Sequence, residues 1–302
     1  MILGSLLKSS TGDLTLSTGD SSFPSSGSNY SDLRIENGGS WVGTSARTTN
    51  AIIADIQSNT PQFTVGTMSN RANKEKLGIW TTVYGMTAGS GSGGETQSAK
   101  TMTKDSHTGS NQMSRYRFNS GSNINADSEM IILGCDDDEG SSGTNFWTEL
   151  AEKTLTSTGT LDTGTWTGTK KYLWVDAWFK GTSTSSIGNV SCQFNGETSG
   201  YTHRYKAGVG DHVPQHSQSG IRVHDDSGND DDGYFVRMYI LNRPDTEKLV
   251  WSRSVQISDG NIIRAESSGK YASNDQITRI NLAVGGTCAI GSCIKVWGGE
   301  LP

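Results

Sequence analysis

One stretch of this chain occurs twice, and that repetition restricts the fold more than any other feature. Residues 63–80, FTVGTMSNRANKEKLGIW, return as residues 235–251, FVRMYILNRPDTEKLVW. At a constant offset of 172 the two share Phe63/Phe235, Asn70/Asn242, Arg71/Arg243, Glu75/Glu247, Lys76/Lys248 and Leu77/Leu249. In each copy an apolar run enters, a polar segment reverses the chain and a second apolar run leaves, which is the pattern of a β-hairpin. Pro244 followed by Asp245 reads as a type I corner, because Pro presets φ and Asp bonds the backbone two residues on.

A second echo follows. Residues 111–115, NQMSR, return as 275–279, DQITR, with Gly121, Ser128 and Gly134 returning as Gly285, Ser292 and Gly298 at an offset of 164. The drop from 172 to 164 gives the first copy eight extra residues. The segment 88–94, AGSGSGG, lies in that interval and has the composition of a surface insertion. Self-similarity over such a length predicts tandem copies of one β domain. The expected boundaries are 1–24 as an N-terminal arm or first strand, 25–140 as a first β-sandwich, 141–146 as a Gly/Ser linker and 147–302 as a second β-sandwich. The front half of the first copy is the shorter, so the repeat is sharp only in its second half.

Strand signals run through both copies. Residues 32–36 alternate and end at Asn37 and Gly38, and 51–56, 63–68, 77–84, 112–118 and 130–133 read as strands. In the second copy 190–194, 221–223, 234–241, 249–257, 277–284 and 294–297 do the same, while 148–153 fits one helical turn or an extended lead-in. The strongest is 171–180, KYLWVDAWFK, which places Leu173, Val175, Ala177 and Phe179 on one face and Tyr172, Trp174, Asp176 and Trp178 on the other. Aromatic residues on both faces imply that both are covered, by a second core layer, an overlying loop or a subunit interface. With long loops expected at 200–220 and 225–233, the fold class is all-β: two tandem antiparallel β-sandwich domains of jelly-roll-like form. An apolar content of 32% with 38 glycines suits such a loop-rich sandwich.

The chemistry is sparse. A net charge of −6 without clustered Lys and Arg argues against nucleic acid, and no apolar run is long enough to cross a bilayer. Residues 1–7 are too short for a signal-peptide core, so synthesis in the cytoplasm is expected. Cys135, Cys192, Cys288 and Cys293 do not fall at repeat-equivalent positions, which favours free, mostly buried thiols over a disulfide framework. Asp136, Asp137, Asp138 and Glu139 form one acidic cluster. The loop 225–232 forms another, a solvated loop or a place for Ca²⁺, although its spacing does not match the twelve-residue calcium loop. A glycosidase carboxylate pair is the remaining reading of these acids. His212 and His216 have a zinc-like interval interrupted by Pro214, and they read as structural or exposed histidines. With no nucleophile elbow, Walker or dinucleotide motif, neither an enzyme nor a cofactor is expected. Tyr201, Tyr205 and His203 in SGYTHRYKAG have the make-up of a sugar-stacking surface, or clamp a loop.

The runs TGTKKYLWVDAWFKG, VSCQFNGETSGYTHRY, YFVRMYILNRPDTEKLVW, GKYASNDQITRINL and GSCIKVWG resemble a recurrent module of tailed-bacteriophage structural proteins. The resemblance covers 147–298 well and 33–134 more loosely. It implies a virion component of jelly-roll-like fold, made in the host cytoplasm and carried on the particle, and it implies no activity. The function expected is a capsid decoration or other auxiliary head protein. Its partners would be the major capsid protein or other virion proteins, in multiple copies or as a homo-oligomer. Residues 1–24 are a candidate docking arm, and Tyr172, Trp174, Trp178, Tyr201 and Tyr205 a candidate interaction surface. The alternative is a tail fibre, spike or adhesin module that binds host surface glycan; the absence of a heptad stalk or β-helix repeat favours the head.

Overall fold

The structure is a computed structural model of the 302-residue chain and describes residues 1–7, 12–19, 30–36, 40–48, 51–56, 61–70, 76–85, 96–105, 113–120, 123–134, 146–182, 188–207, 213–224, 233–258 and 261–300. The segment 88–94, the linker residues 141–145, Cys135, His212 and both acidic clusters lie outside these residues. The chain divides into two compact units, Met1–Met86 with Gln97–Asp137, and Asp138–Pro302 with Thr87–Thr96.

Every regular element among the described residues is a β-strand, so the fold is all-β. The first unit runs β1 (Ile2–Leu6), β2 (Gly12–Gly19), β3 (Tyr30–Glu36), β4 (Ser40–Thr48), β5 (Ala51–Ile56), β6 (Gln62–Met68), β7 (Lys76–Gly85), β8 (Thr96–Asp105), β9 (Arg115–Ser120) and β10 (Glu129–Ile132). The second runs β11 (Thr148–Thr154), β12 (Leu161–Asp162), β13 (Tyr172–Phe179), β14 (Val190–Phe194), β15 (Tyr201–Ala207), β16 (Val213–Gln218), β17 (Ile221–His224), β18 (Tyr234–Leu241), β19 (Lys248–Ser258), β20 (Asn261–Tyr271), β21 (Ile280–Ala283) and β22 (Cys293–Gly299).

The first unit has a large sheet of order β10-β1-β6-β7-β8-β3-β4 and a small one of order β5-β2-β9. The second has β11-β22-β13-β18-β19-β20-β15-β16 and β12-β21-β14-β17. Raising each strand number of the first unit by twelve reproduces the second, with β11 and β12 added at its sheet edges. In both, the first strand pairs with the last, the second with the next to last and the third with the one before, which is the nested winding of a jelly roll.

The registers match as well. Phe63 faces Val83 in the first hairpin and Phe235 faces Val255 in the second, an offset of 172 on both arms. The small sheets share an irregularity, between Leu14 and Thr15 in β2 and between Val190 and Ser191 in β14. One inward pair exchanges size: Gly66 lies opposite Trp80, and Met238 opposite Ser252. A side chain on Gly66 would come within 2.0 Å of the Trp80 ring, so the glycine makes room for the indole.

Each unit buries its core between its two sheets. In the second, Val175, Ala177 and Phe179 of β13, Val236 and Met238 of β18 and Val296 of β22 meet Val190, Cys192 and Phe194 of β14, Val223 of β17 and Leu282 of β21. In the first, Ile2, Leu6 and Trp80 meet Leu16 and Phe118. These side chains recur at every second position, which is what puts them on one face of each sheet.

The two echoed motifs are tied together identically. Asn242 accepts from Ile277 N–H at 2.6 Å and donates to Ile277 O at 3.2 Å. Asn70 accepts from Met113 N–H at 2.6 Å and donates to Met113 O at 2.9 Å. Each asparagine therefore supplies the strand-like pair of bonds that fastens the hairpin to the returning segment. In the second unit the Lys248 ammonium donates into the same turn, to carbonyl oxygens of Arg243 at 2.6 Å, of Ser273 and Asn274 at 3.1 Å, and of Thr246.

Several expectations are corrected. Of the two readings of 1–24, arm or first strand, its described residues follow the strand: β1 lies inside the large sheet between β10 and β6 and β2 lies inside the small one, which leaves no free docking arm over those residues. The expected loop 200–220 contains β15 and β16, paired as an edge hairpin, while 148–153 takes the extended alternative of its two readings, as part of β11. Pro244 does begin a turn, but Asp245 has φ 57°, which fits the second corner of a type II turn and not of type I. Among the described cysteines, Cys192, Cys288 and Cys293 are free thiols.

Candidate functional site

Two surfaces of the second unit concentrate side-chain chemistry. The first is the outward face of its large sheet. Because side chains alternate along a strand, β13 sends Leu173, Val175, Ala177 and Phe179 inward and Tyr172, Trp174, Asp176 and Trp178 outward. Tyr172 is wholly buried beside the Phe146 ring, 6.4 Å away, and burial pushes its phenol pKa up. Gly299, opposite Tyr172, leaves the space Phe146 needs, since a side chain there would come within 2.2 Å of that ring.

Trp174 heads an aromatic row. Its ring lies 5.8 Å from Trp147, 5.2 Å from Trp297 and 5.9 Å from Tyr239, and Tyr239 stacks on Trp251 at 5.7 Å. A charged row follows one step along the strands. Asp176 takes two bonds from Arg237, at 2.7 and 2.8 Å, and one from the Trp174 indole N–H at 3.0 Å. Arg237 lies 4.9 Å above Trp174, Arg253 4.7 Å above Trp251, and Lys295 contacts both Glu149 and Glu152. Charge and ring thus satisfy each other at Arg237, whose planar guanidinium bonds the Asp176 carboxylate edge-on while covering the Trp174 face.

The third row is apolar. Trp178, Phe235 and Val255 are neighbours across β13, β18 and β19 and are 40%, 37% and 37% exposed. At the equivalent place in the first unit Phe63 and Val83 are 1% and 0% exposed, and Ser5 stands opposite Phe63 where Trp178 faces Phe235. The charged row has a buried counterpart too: Ile131, Leu3, Val65 and Thr81 occupy the positions of Lys295, Asp176, Arg237 and Arg253. These two rows are therefore buried in the first unit, where the next pair on that face, Thr67 and Ile79, is exposed, while in the second unit they are polar with an apolar strip.

The second surface lies on the outward side of the small sheet. Ser191 and Gln193 alternate with the core residues Val190, Cys192 and Phe194 and so point away from the core. With Arg222 of β17 and His203, Gln215 and Gln218 of the edge hairpin they line a cavity of about 320 Å³. Gln193 donates to Ser219 O at 2.9 Å and accepts from Asn281 at 3.1 Å; Arg222 bonds Asn189 and lies 4.7 Å above the Tyr205 ring. His203 is buried; its ring nitrogens make no hydrogen bond of normal length and angle, and the Gln215 side chain and the Gly220 backbone are its bonding partners at longer reach. Burial first, and Arg222 second, push its pKa down to about 4, so the ring is neutral near pH 7.

Of the five residues expected to form an interaction surface, Tyr172, Trp174 and Trp178 share one sheet face, and Trp178 is its exposed member. Tyr201 does not belong to any surface. It is wholly buried, stacks on Tyr271 at 4.7 Å, accepts from Phe194 N–H at 2.8 Å and donates to Glu197 O at 3.2 Å. Those bonds hold the turn at Asn195 and Gly196, whose φ values of 55° and 79° are both left-handed. Tyr205 is buried beneath Arg222. A sugar-stacking face built from these two tyrosines is thereby ruled out, because a ring covered by protein cannot also cover a sugar. His216 is in β16, and among the described residues no three His, Cys, Asp or Glu side chains converge on a metal-sized site. Among them, too, no helix is long and apolar enough to cross a membrane. No protein-family model matches this chain, and no curated protein matches it.

Proposed function

We propose that this chain is a non-enzymatic structural protein of a tailed-bacteriophage particle, a decoration or other auxiliary protein on the head exterior. The second unit docks onto the major capsid protein or a neighbouring particle protein through Trp178, Phe235 and Val255. The observation that carries the docking face is the contrast between the two units: a Phe and Val pair at the same register position is buried in one and exposed, with an added tryptophan, in the other. An exposed aromatic and aliphatic strip beside a charged row has the make-up of an interface core with a polar rim. The particle assignment draws on the resemblance of the second half to phage structural modules. The matching topologies, registers and asparagine clamps support reading the units as tandem copies, so that one chain offers two related bodies to a repetitive shell.

The test is rebinding of purified protein to particles lacking it, followed by co-sedimentation. Trp178→Glu and Phe235→Glu should each weaken rebinding by about a hundredfold, the loss of one buried aromatic anchor, with unchanged thermal stability because both positions are exposed. Undiminished rebinding by both variants would refute the docking face.

A further inference from the structure

We infer that the cavity on the small sheet of the second unit is a binding site for a neutral saccharide, one per chain. It adds glycan contact to the particle role proposed above and does not depend on which particle protein the chain docks to. At about 320 Å³ the cavity is at the small end of ligand sites, which run from roughly 300 to 1,000 Å³, and so takes a terminal sugar and not a long oligosaccharide.

The lining chooses among ligand classes. Gln193 already donates to Ser219 O and accepts from Asn281, and Gln218 donates to His216 O, so these two offer the second N–H and spare lone pairs of their amides; Gln215 adds another amide, Ser191 a hydroxyl that donates and accepts, and Arg222 donors alone. A sugar hydroxyl is itself both donor and acceptor, so a mixed set of this kind recognises it. A hard cation would need carboxylate oxygens, and no Asp or Glu is among the described lining residues. An anion would be served best by two cations, yet His203 is held neutral beside Arg222.

The second observation is His203 itself. Both ring nitrogens stand at the cavity wall without a hydrogen bond of normal length and angle, held only at longer reach by the Gln215 side chain and the Gly220 backbone, so a better-placed partner in the cavity would be gained at little loss. A neutral imidazole presents one N–H and one lone pair, which a single sugar or a water held by that sugar can meet together.

Two side chains that define the site have no like residue at the matching register positions of the first unit. Arg222 faces Ser191 just past the break in β14, and at the corresponding place past the break in β2 the residue facing Thr15 is Ile52. His203 follows the irregularity in β15 as Asp32 follows that in β3. The first unit therefore carries neither the guanidinium nor the imidazole at these positions.

The experiment is saturation-transfer NMR on the full chain with a panel of methyl glycosides of neutral hexoses and N-acetylhexosamines, and with inorganic phosphate as the anion probe. At least one glycoside should show transfer, with one site per chain. Gln215→Ala, which removes a polar group from the edge strand, should weaken it about tenfold, and Ser191→Trp, which fills the cavity, should abolish it while the circular dichroism spectrum is retained. If Ser191→Trp fails to fold, Gln215→Ala decides alone. Transfer to no glycoside, transfer unchanged in Gln215→Ala, or a response to phosphate only would each overturn the inference. Failure here leaves particle rebinding through Trp178 untouched, and failure of that rebinding leaves glycoside transfer untouched.

Discussion

Replacing Asn242 by alanine tests how the two repeated motifs are joined. Asn242 and Ile277 are both buried, and the side chain makes three bonds: it accepts from Ile277 N–H and donates to Ile277 O and to Lys170 O. In the alanine variant the Ile277 N–H is left buried without a partner, at roughly 1–3 kcal/mol, and two carbonyls each lose a bond worth about 0.5–1.5 kcal/mol net. A carbonyl short of one bond is tolerated better than an orphaned N–H, so the total is about 3 kcal/mol. Asn70 makes the same pair of bonds to Met113 but is half-buried, so water can enter its place and the cost of Asn70→Ala falls to about 1–2 kcal/mol. Urea unfolding followed by tryptophan fluorescence reads both, because Trp80 is buried in the first unit and six of the eight tryptophans, at position 147 or beyond, report on the second. Equal losses at the two sites, or a loss below about 0.5 kcal/mol at Asn242, would refute the reasoning.

Gly66→Ala drives a methyl group to 2.0 Å from the Trp80 ring and should cost about 1–3 kcal/mol; the exchange Gly66→Met with Trp80→Ser, which copies the Met238 and Ser252 pair, should cost less in thermal melts than its two single changes added. Lys248→Met strips four backbone carbonyls of their ammonium and should destabilise the second unit by about 3 kcal/mol or more, measured by the same urea titration. The pKa of His203 lies at about 4 in the fold against about 6.5 in the unfolded chain, so between those values the unfolded state binds the extra proton. The stability this group contributes is complete above pH 6.5 and falls by up to about 3 kcal/mol as pH drops to 4; unfolding of His203→Gln across that range should show a shallower dependence, and an identical slope would show that the imidazole is not held neutral.

The all-β class was legible because β13, β14, β18 and β22 alternate apolar and polar residues, and because the hairpin motif is printed twice. What the sequence hid was strand identity in polar stretches. β20 sits inside the large sheet, yet Glu266, Ser267, Ser268 and Lys270 are all buried there, so no apolar alternation marks it. β15 and β16 were obscured in the same way, and Tyr201, whose hydroxyl finds partners inside the core, looked like a surface ring. The candidate cavity takes residues from the consecutive strands β14 to β17 and from β21, and no motif spacing marks such a set. Its one legible trace is Ser191 and Gln193, polar positions alternating with a fully apolar face of β14.

The particle role is tested most directly by cryo-electron microscopy of intact virions. The account predicts ordered two-unit density at regular positions on the head exterior, with β13, β18 and β19 of the second unit turned toward the shell so that Trp178, Phe235 and Val255 are covered. Density confined to the tail tip, or no density for this chain on the particle, would contradict it.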